Sequence, residues 1–296
     1  MESIINHYYH LVPENLKKRY GGFLFYVEEE RYLLVEVLNE TELLKIYQIL
    51  INHHIGNFII INNIEGNQIS KQDDKNYLLF KIRCNENENM TLKETINIHI
   101  SGSNIWSKVW GERINYYEIQ INELAQDKKV VLDSINYYIG LAENAITIAN
   151  KYEKELNEHD YAIQHYRMYV PVKKGDYFNP NNMLIDISIR DIAEYIKSSF
   201  FNNPKDNNDY LEFILSLPLD QKKANFLLAR LLYPSYYFDL FDEIILEERD
   251  EHDLIPVIKE SKEYELFLKE LYEKLTIKYQ MIYIEWLKKG TKVPHQ

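Results

Sequence analysis

Residues 22–61 combine strand-like and helix-like patterns of apolar side chains. Residues 22–38, GFLFYVEEERYLLVEVL, hold two apolar runs rich in aromatic and β-branched residues around a charged centre, which predicts a β-hairpin. In residues 41–51, TELLKIYQILI, the apolar positions follow a helical period instead. The predicted apolar face of this helix consists of Leu43, Leu44, Tyr47 and Ile51. The run NFIIINN then returns to strand character.

A second strand, NYLLFKIR, follows a segment in which Gly66 and Asp73-Asp74 mark turns. From residue 106 onward the apolar spacing becomes mainly helical. The predicted helices are residues 106–124, 131–156, 190–201, 209–217, 219–233, 235–248 and 263–289. Two strands interrupt them, at residues 161–172 and 182–186, with the turn-rich loop KKGDYFNPNN between. This order predicts an α+β protein of two lobes, a small mixed-sheet lobe over residues 1–90 and a mainly helical lobe over 91–296.

The composition excludes several classes of protein. The 296 residues are 27% charged and 46% hydrophobic, as in a soluble globular chain. No apolar run approaches the roughly 20 residues that span a bilayer, and MESIINHYYH lacks the basic and apolar regions of a signal peptide. The net charge of −12 argues against binding of nucleic acid. Cys84, the only cysteine, excludes an internal disulfide and a zinc site of several thiolates.

Several motifs carry a resemblance to known proteins. RDIAEYIK resembles a D-[LI]-A helix, WGERINYYEIQ a W-x-x-R segment, and ARLLYPSYYFDLFDEI, residues 229–244, an R-x-L-Y-P-x-x-[FY] tail. With NYYIGLAENAI, they are most similar to spore coat-associated proteins of the YutH type, related to the CotS group. These proteins belong to the aminoglycoside phosphotransferase and choline kinase-like superfamily, so the resemblance implies a two-lobed kinase-like fold. It covers most of the chain from Trp106 onward.

The resemblance raises the question of phosphoryl transfer, which needs a lysine on the nucleotide phosphates, a catalytic aspartate and an Asn and Asp that hold magnesium. The lysine is expected in the strand RYLLVEVL, yet no lysine lies between Lys18 and Lys45, and the strand carries Glu36. A carboxylate there would repel phosphate. The glycine pair Gly21-Gly22 is more typical of a tight turn than of a phosphate-binding loop.

The catalytic loop can be aligned with the family in two registers. In the first, KGDYFNPNNMLID matches H-G-D-x-x-x-x-N, with Asp176 as the base, Asn181 as a magnesium ligand and Lys174 in place of the histidine. That register leaves no room for the next strand with its metal-binding aspartate. KKGDYFNPNN also has the composition of an ordinary surface turn, which we favour over an active site.

In the second register, which we favour, His165-Tyr166-Arg167 takes the place of H-G-D. The run LID then resembles the strand that bears the metal-binding aspartate, so Asp186 is the retained metal and nucleotide candidate. Arg167 occupies the position of the base, and a guanidinium cannot accept a proton at neutral pH. The chemistry is incomplete in either register.

Ser188 and Asp191 have a structural interpretation. Ser188-Ile-Arg-Asp191 fits the S-x-x-[DE] capping box ahead of an apolar helical face. The serine would cap the first turn, and the positive end of the helix dipole would stabilise the aspartate. The resemblance implies that Asp191 also supports the loop near His165.

We therefore expect a catalytically degenerate kinase-like protein of the spore coat that acts by binding other coat proteins and needs no cofactor. It would be made in the mother-cell cytoplasm and recruited to the coat. The alternative is an active small-molecule phosphotransferase that uses ATP or GTP and magnesium, with Asp176 as base and Asn181 and Asp186 near the metal.

Overall fold

The computed structural model describes residues 1–90, 98–103, 105–202 and 210–288. The chain divides into two compact units. The first comprises Met1–Ile100 with Ala162–Asp186, and the second Ser101–Tyr161 with Ile187–Gln296. The lobe boundary predicted between residues 90 and 91 stays a prediction. In the structure the chain returns to the first unit at Ala162–Asp186.

The described strands are few and short, and helices fill most of the second half of the chain. The strands are β1 Glu14–Arg19, β2 Gly22–Val27, β3 Glu30–Glu36, β4 Phe58–Ile61, β5 Ile69–Gln72, β6 Lys75–Ile82, β7 Tyr161–His165 and β8 Met183–Ile187. The helices are α1 Glu2–Tyr9, α2 Glu40–Asn52, α3 Trp106–Leu124, α4 Lys129–Tyr152, α5 Lys174–Tyr177, α6 Arg190–Asn202, α7 Tyr210–Ser216, α8 Gln221–Leu232, α9 Ser235–Ile245 and α10 Leu254–Lys278. The predicted α+β class is confirmed.

The first unit is built on a six-stranded sheet in the order β1-β2-β3-β6-β4, with β5 also paired to β6. Each pairing is antiparallel, so the prediction of a mixed sheet is wrong. The hairpins β1–β2, β2–β3 and β5–β6 account for three of the five pairings, because strands joined by a short turn must run antiparallel. The sequence predicted β2, β3, β4 and β6 but missed β1, whose exposed charged side chains are typical of an edge strand.

Both faces of the sheet are covered, which explains why β3 and β6 read as continuous apolar runs. Leu33, Val35 and Phe80 lie in a core that includes Leu43 of α2. The alternate residues face a second core beneath α1, whose apolar members are Ile4, Ile5, Tyr9, Phe25, Leu34, Tyr77 and Leu79. The sequence did not predict α1, so the core on that face was missed.

Helix α2 begins at its predicted position, but the set of its most buried side chains differs from the prediction. The side chain of Asn39 caps the helix by accepting a hydrogen bond from the backbone N–H of Glu42 at 3.2 Å. Its buried residues are Leu43, Ile46 and Leu50. Leu43 faces the sheet, with Leu44 and Tyr47 partly buried beside it. Ile46 and Leu50 pack against Ile163 and Met183 instead.

Aromatic stacking and hydrogen bonds between helices hold the second unit together. Helix α8 lies at its centre, with every residue from Ala224 to Leu232 buried. Tyr233 of the Leu-Tyr-Pro segment stacks on Trp110 with ring centroids 4.5 Å apart. Tyr237 stacks on Tyr138 at 3.7 Å. These residues of the family-like motifs thus have structural roles.

The last predicted helix, residues 263–289, was wrong at both ends. Helix α10 begins at Leu254 and ends at Lys278, and the chain then continues without regular structure to a 3₁₀ turn at Glu285–Leu287. The Tyr272 hydroxyl donates to the Ile282 carbonyl at 2.9 Å, so the chain folds back onto α10 instead of extending it. Among the described residues no helix combines the length and apolar composition needed to cross a membrane.

Replacing Leu34 by alanine tests the core beneath α1. Leu34 is fully buried, so the truncation should cost about 2–5 kcal/mol in the free energy of unfolding. Val12, which is 76% exposed, is the control, and Val12→Ala should change stability by less than about 0.5 kcal/mol. Urea unfolding followed by circular dichroism measures both. Equal midpoints for the two variants would contradict the assignment of this core.

Candidate functional site

The turn between β1 and β2 is a two-residue turn, not a phosphate-binding loop. Tyr20 and Gly21 both have positive φ, 54° and 68°, as a type I′ hairpin turn requires. Gly22 follows as the first residue of β2, where an added Cβ would lie 2.4 Å from the Leu34 carbonyl oxygen. The two glycines therefore serve the hairpin.

Tyr20 fixes this turn against the segment that returns to the first unit. Its carbonyl oxygen accepts a hydrogen bond from Nδ2 of Asn179 at 2.9 Å, and its hydroxyl donates to the Glu86 carbonyl at 3.2 Å. A Cβ added at Gly175 would lie 2.6 Å from Cζ of Tyr20, so the ring lies directly on that glycine. We call this set the Tyr20 contact. Burial raises the pKa of Tyr20 to about 12, so its hydroxyl is a neutral donor.

Residues 86–90 run beside residues 172–175 and support the same contact. Backbone hydrogen bonds join Gly175 N to Glu86 O at 3.0 Å and Lys174 N to Glu88 O at 2.8 Å. The buried Glu86 carboxylate also pairs with Arg31 of β3. Lys174, which would replace the family's histidine in the first register, pairs with Glu88 at 2.6 Å.

The loop KKGDYFNPNN is therefore not the surface turn that we predicted. It forms the short helix α5 and a 3₁₀ turn at Pro180–Asn182, and its Gly175, Tyr177 and Asn179 are buried. Its composition is that of a turn, but its burial depends on Tyr20, a residue remote in sequence. Position 179 offered one signal, because an asparagine before proline favours a local turn, and Oδ1 of Asn179 accepts from Asn181 N at 3.0 Å.

The position expected to hold a phosphate-binding lysine carries an acidic residue. Glu36 ends β3, and its carboxylate pairs with Lys75 of β6 at 2.9 Å. Both side chains are well exposed, so this pair adds little to stability. Within β3 the cationic residue is Arg31, which is engaged with Glu86.

The two candidate registers of the catalytic loop lie next to each other. Nδ2 of Asn182 is within hydrogen-bonding distance of the carbonyl oxygens of Arg167, at 3.3 Å, and Asp176, at 3.4 Å. Nε2 of His165 donates to the Tyr177 carbonyl at 2.7 Å, and the ring centroids of these two residues are 4.4 Å apart. His165-Tyr166-Arg167 and Asp176 thus lie in one region of the first unit. The sequence alone could not show that the two segments are neighbours.

Each sequence candidate has a distinct environment in this site. His165 is fully buried and its Nε2 is used as a donor, so that nitrogen is not available as a base. Burial raises the pKa of the half-buried Asp176 carboxyl, although the charges of Arg19 and His165 lower it in part. Asp186 is fully buried on β8. Asn181 lines a small pocket on the same unit.

Asp186 is the sequence candidate for a metal ligand. No cluster of three or more His, Cys, Asp or Glu side chains with metal-binding geometry occurs among the described residues, and Asp186 is therefore not part of one. The position expected to hold the phosphate-binding lysine carries Glu36, and Tyr20 of the β1–β2 turn packs on Gly175. A kinase-like site holds magnesium with an aspartate, an asparagine and the nucleotide phosphates, so magnesium binding by Asp186 and Asn181 stays a prediction.

Ser188 and Asp191 belong to the second unit, whereas His165, Asp176 and Asp186 belong to the first. Asp191 is buried in the first turn of α6, where a carboxylate suits the helix dipole. The backbone N–H of Ser188 donates to the Asp160 carbonyl at 2.9 Å. The cap predicted for Ser188 stays a prediction.

The structure is similar to solved phosphotransferases. Spectinomycin phosphotransferase APH(9)-Ia in complex with ADP and spectinomycin matches with a TM-score of 0.55 at 12% identity, covering 88% of this chain and 92% of that one. Its AMP-bound complex matches with a TM-score of 0.55 at 14% identity, covering 88% and 93%. At such identities the likeness shows the fold, and it confirms the predicted kinase-like fold.

Sequence comparisons identify the family. The endospore coat-associated protein YutH of Bacillus subtilis (strain 168) is 27% identical over 213 residues, which is 63% of this chain and 62% of the relative. The match thus spans less than two thirds of that relative's length. The family model described as "Spore coat putative kinase YutH" matches residues 2–271. The chain therefore belongs to the YutH family of spore coat proteins and has the fold of the aminoglycoside phosphotransferases.

Proposed function

We propose that this protein is a catalytically degenerate kinase-like component of the spore coat that acts by binding other coat proteins. The observation that carries the proposal is the Tyr20 contact. Kinase-like enzymes cover the nucleotide phosphates with the loop after the first strand. Here Tyr20 of that turn packs its ring on Gly175 and accepts a hydrogen bond from Asn179. Both residues belong to the segment that would hold the catalytic base in the first register.

Charge supports the same proposal. A kinase-like site concentrates positive charge on the phosphates through a lysine and metal ions. In β3 the corresponding side chain is Glu36, and the neighbouring Lys75 is already paired with it. A nucleotide would therefore meet a carboxylate where the reaction needs a cation.

The base is also compromised in the favoured register. Arg167 stands at the position of the catalytic aspartate and cannot accept a proton at neutral pH. The nearby His165 uses Nε2 to hold the Tyr177 carbonyl. These contacts support a role for the segment in keeping the first unit folded.

Association with the coat is what the family description and the Bacillus subtilis relative's name state. For this chain we infer synthesis in the mother-cell cytoplasm, recruitment through protein contacts and no required cofactor. The net charge of −12 supports protein partners over nucleic acid.

One observation favours a second function, an active small-molecule phosphotransferase using ATP or GTP and magnesium. Burial raises the pKa of Asp176, and a carboxylate with a raised pKa is suited to act as a general base. Asn181 and Asp186 would then lie near the metal. This function requires a basic group in place of the missing lysine.

Nucleotide titration separates the two functions. Isothermal titration of the purified protein with ATP and with GTP, with and without magnesium, should give no binding heat at millimolar nucleotide, because the site lacks the phosphate-binding lysine. Spectinomycin phosphotransferase, whose structure holds ADP, is the positive control. Magnesium-dependent binding that disappears in Asp186→Asn would contradict the proposal and favour the phosphotransferase.

A double-mutant cycle tests the Tyr20 contact. Gly175→Ala should destabilise the protein by about 1–3 kcal/mol, because the added Cβ would overlap the Tyr20 ring. The smaller side chain of Tyr20→Leu should relieve part of that cost in the double variant. A coupling free energy of at least about 0.5 kcal/mol is expected from urea unfolding. Additive effects would mean that the ring and the glycine do not share this space.

The stability contribution of Asp176 should depend on pH. Because its pKa is raised on folding, the folded state holds the proton more tightly than the unfolded chain, whose carboxyl pKa is about 3.9. Its contribution therefore falls as the pH rises through the raised pKa. Asp176→Asn should be more stable than the wild type at neutral pH and should lose this part of the pH dependence.

Urea midpoints measured between about pH 4 and pH 8 test this, since the range covers the ordinary carboxyl pKa and values above it. Asp74→Asn, at an exposed turn residue of the same unit, is the matched control and should follow the wild type. If Asp176→Asn also follows the wild type, burial of the Asp176 carboxylate does not destabilise the folded state. The observation that favours a general base is then lost.

A further inference from the structure

A small pocket opens on the first unit beside the candidate site. Its volume is about 190 Å³, and its apolar lining consists of Leu38, Leu43, Tyr166, Pro180 and Met183. The pocket lies between the start of α2 and the residues that follow β7 and precede β8. Pockets for drug-sized ligands occupy about 300–1,000 Å³, so this one suits a single apolar side chain.

The floor and the rim of the pocket differ in exposure. Leu43, Pro180 and Met183 are buried and form an apolar floor. Leu38 is 93% exposed and Tyr166 is 43% exposed, both at the rim. Single exposed apolar residues are common; here two of them stand beside one pocket with an apolar floor, so that another chain could bury them together.

The one charged residue that lines the pocket is Glu42. Its carboxylate accepts hydrogen bonds from Asn39 Nδ2 at 3.1 Å and from Ile185 N at 3.4 Å. Among the described residues no Lys, Arg or His forms an ion pair with it. Each oxygen thus accepts one hydrogen bond and retains acceptor capacity for a cation.

We propose that this pocket is the docking site through which the protein binds a basic partner in the coat. A segment of the partner inserts one Leu, Ile or Met side chain between Leu38 and Tyr166 and places an adjacent Lys or Arg against Glu42. This inference rests on the proposed binding function and names the chemistry of the partner.

Charge selects this occupant over others. The protein carries a net charge of −12, which attracts a basic partner and repels a second copy of itself or a phosphate-bearing ligand. An apolar anchor buried in a pocket excludes water, and an adjacent charge pair fixes the register of the partner. The pocket therefore supplies both the anchor and the orientation.

The first experiment selects random heptapeptides displayed on phage against the full-length protein, with counter-selection on Leu38→Asp. Because Leu38 is almost fully exposed, this variant should remain folded. The enriched peptides should carry an aliphatic residue or methionine next to Lys or Arg. No enrichment, or enriched peptides without that pair, would overturn the proposal.

A synthetic copy of the most enriched peptide is then titrated by fluorescence polarisation. Leu38→Asp should weaken binding by about tenfold or more, as expected for an anchor residue. Glu42→Gln, which keeps the shape and one acceptor oxygen but removes the charge, should reduce the affinity and remove most of its salt dependence. The control Val12→Asp, at an exposed apolar position of the same unit, should leave binding unchanged. Equal affinity for all four proteins would overturn the proposal.

Two further readouts separate this proposal from the function on which it rests. Magnesium-dependent nucleotide binding would contradict the proposed function, whereas failure of the peptide selection without nucleotide binding would overturn only the docking site. Light scattering distinguishes a second copy as the occupant. A dimer of the wild type that Leu38→Asp abolishes would assign the pocket to self-association and overturn the basic partner.

Discussion

The Tyr20 contact is the constraint on which the arrangement of the candidate site depends. A tyrosine at the tip of a hairpin offers a ring, a hydroxyl and a carbonyl, and all three have partners in the first unit: Gly175, Glu86 and Asn179. The glycine permits the close approach and the asparagine satisfies the carbonyl. Through this contact the first hairpin and the segment between β7 and β8 form one compact unit.

The same contact has a consequence for chemistry. An enzyme that transfers phosphate keeps space and positive charge between its first hairpin and its catalytic loop. Here the Tyr20 ring packs on Gly175, and Glu36 at the end of β3 pairs with Lys75. The chain has the fold of the aminoglycoside phosphotransferases, and in the function that we propose packing and ion pairs take the place of phosphate binding. A shared fold therefore gives no warrant for a shared reaction.

The candidate site and the pocket beside it share their supporting elements. Helix α2 supplies Glu42 and Leu43 to the pocket, and the segment 180–183 supplies its floor. That segment is in turn held by the hydrogen bond from Asn179 to Tyr20. In the docking site that we propose, the binding surface uses the rigidity of the segment between β7 and β8, as sites built on well-supported elements do.

The sequence by itself determined the local features of this protein. Apolar periodicity placed β2, β3, β6 and most helices, because burial on one face leaves a repeating pattern in the chain. It also showed that β3 lacks a lysine, since residue identity alone decides that point, whereas the register that places Arg167 at the base stays a prediction. Only the tertiary structure revealed α1, the edge strand β1 and the convergence of the two registers at Asn182. Tyr20 and Asn179 are 159 residues apart, and a contact over such a separation leaves no periodic trace in the sequence.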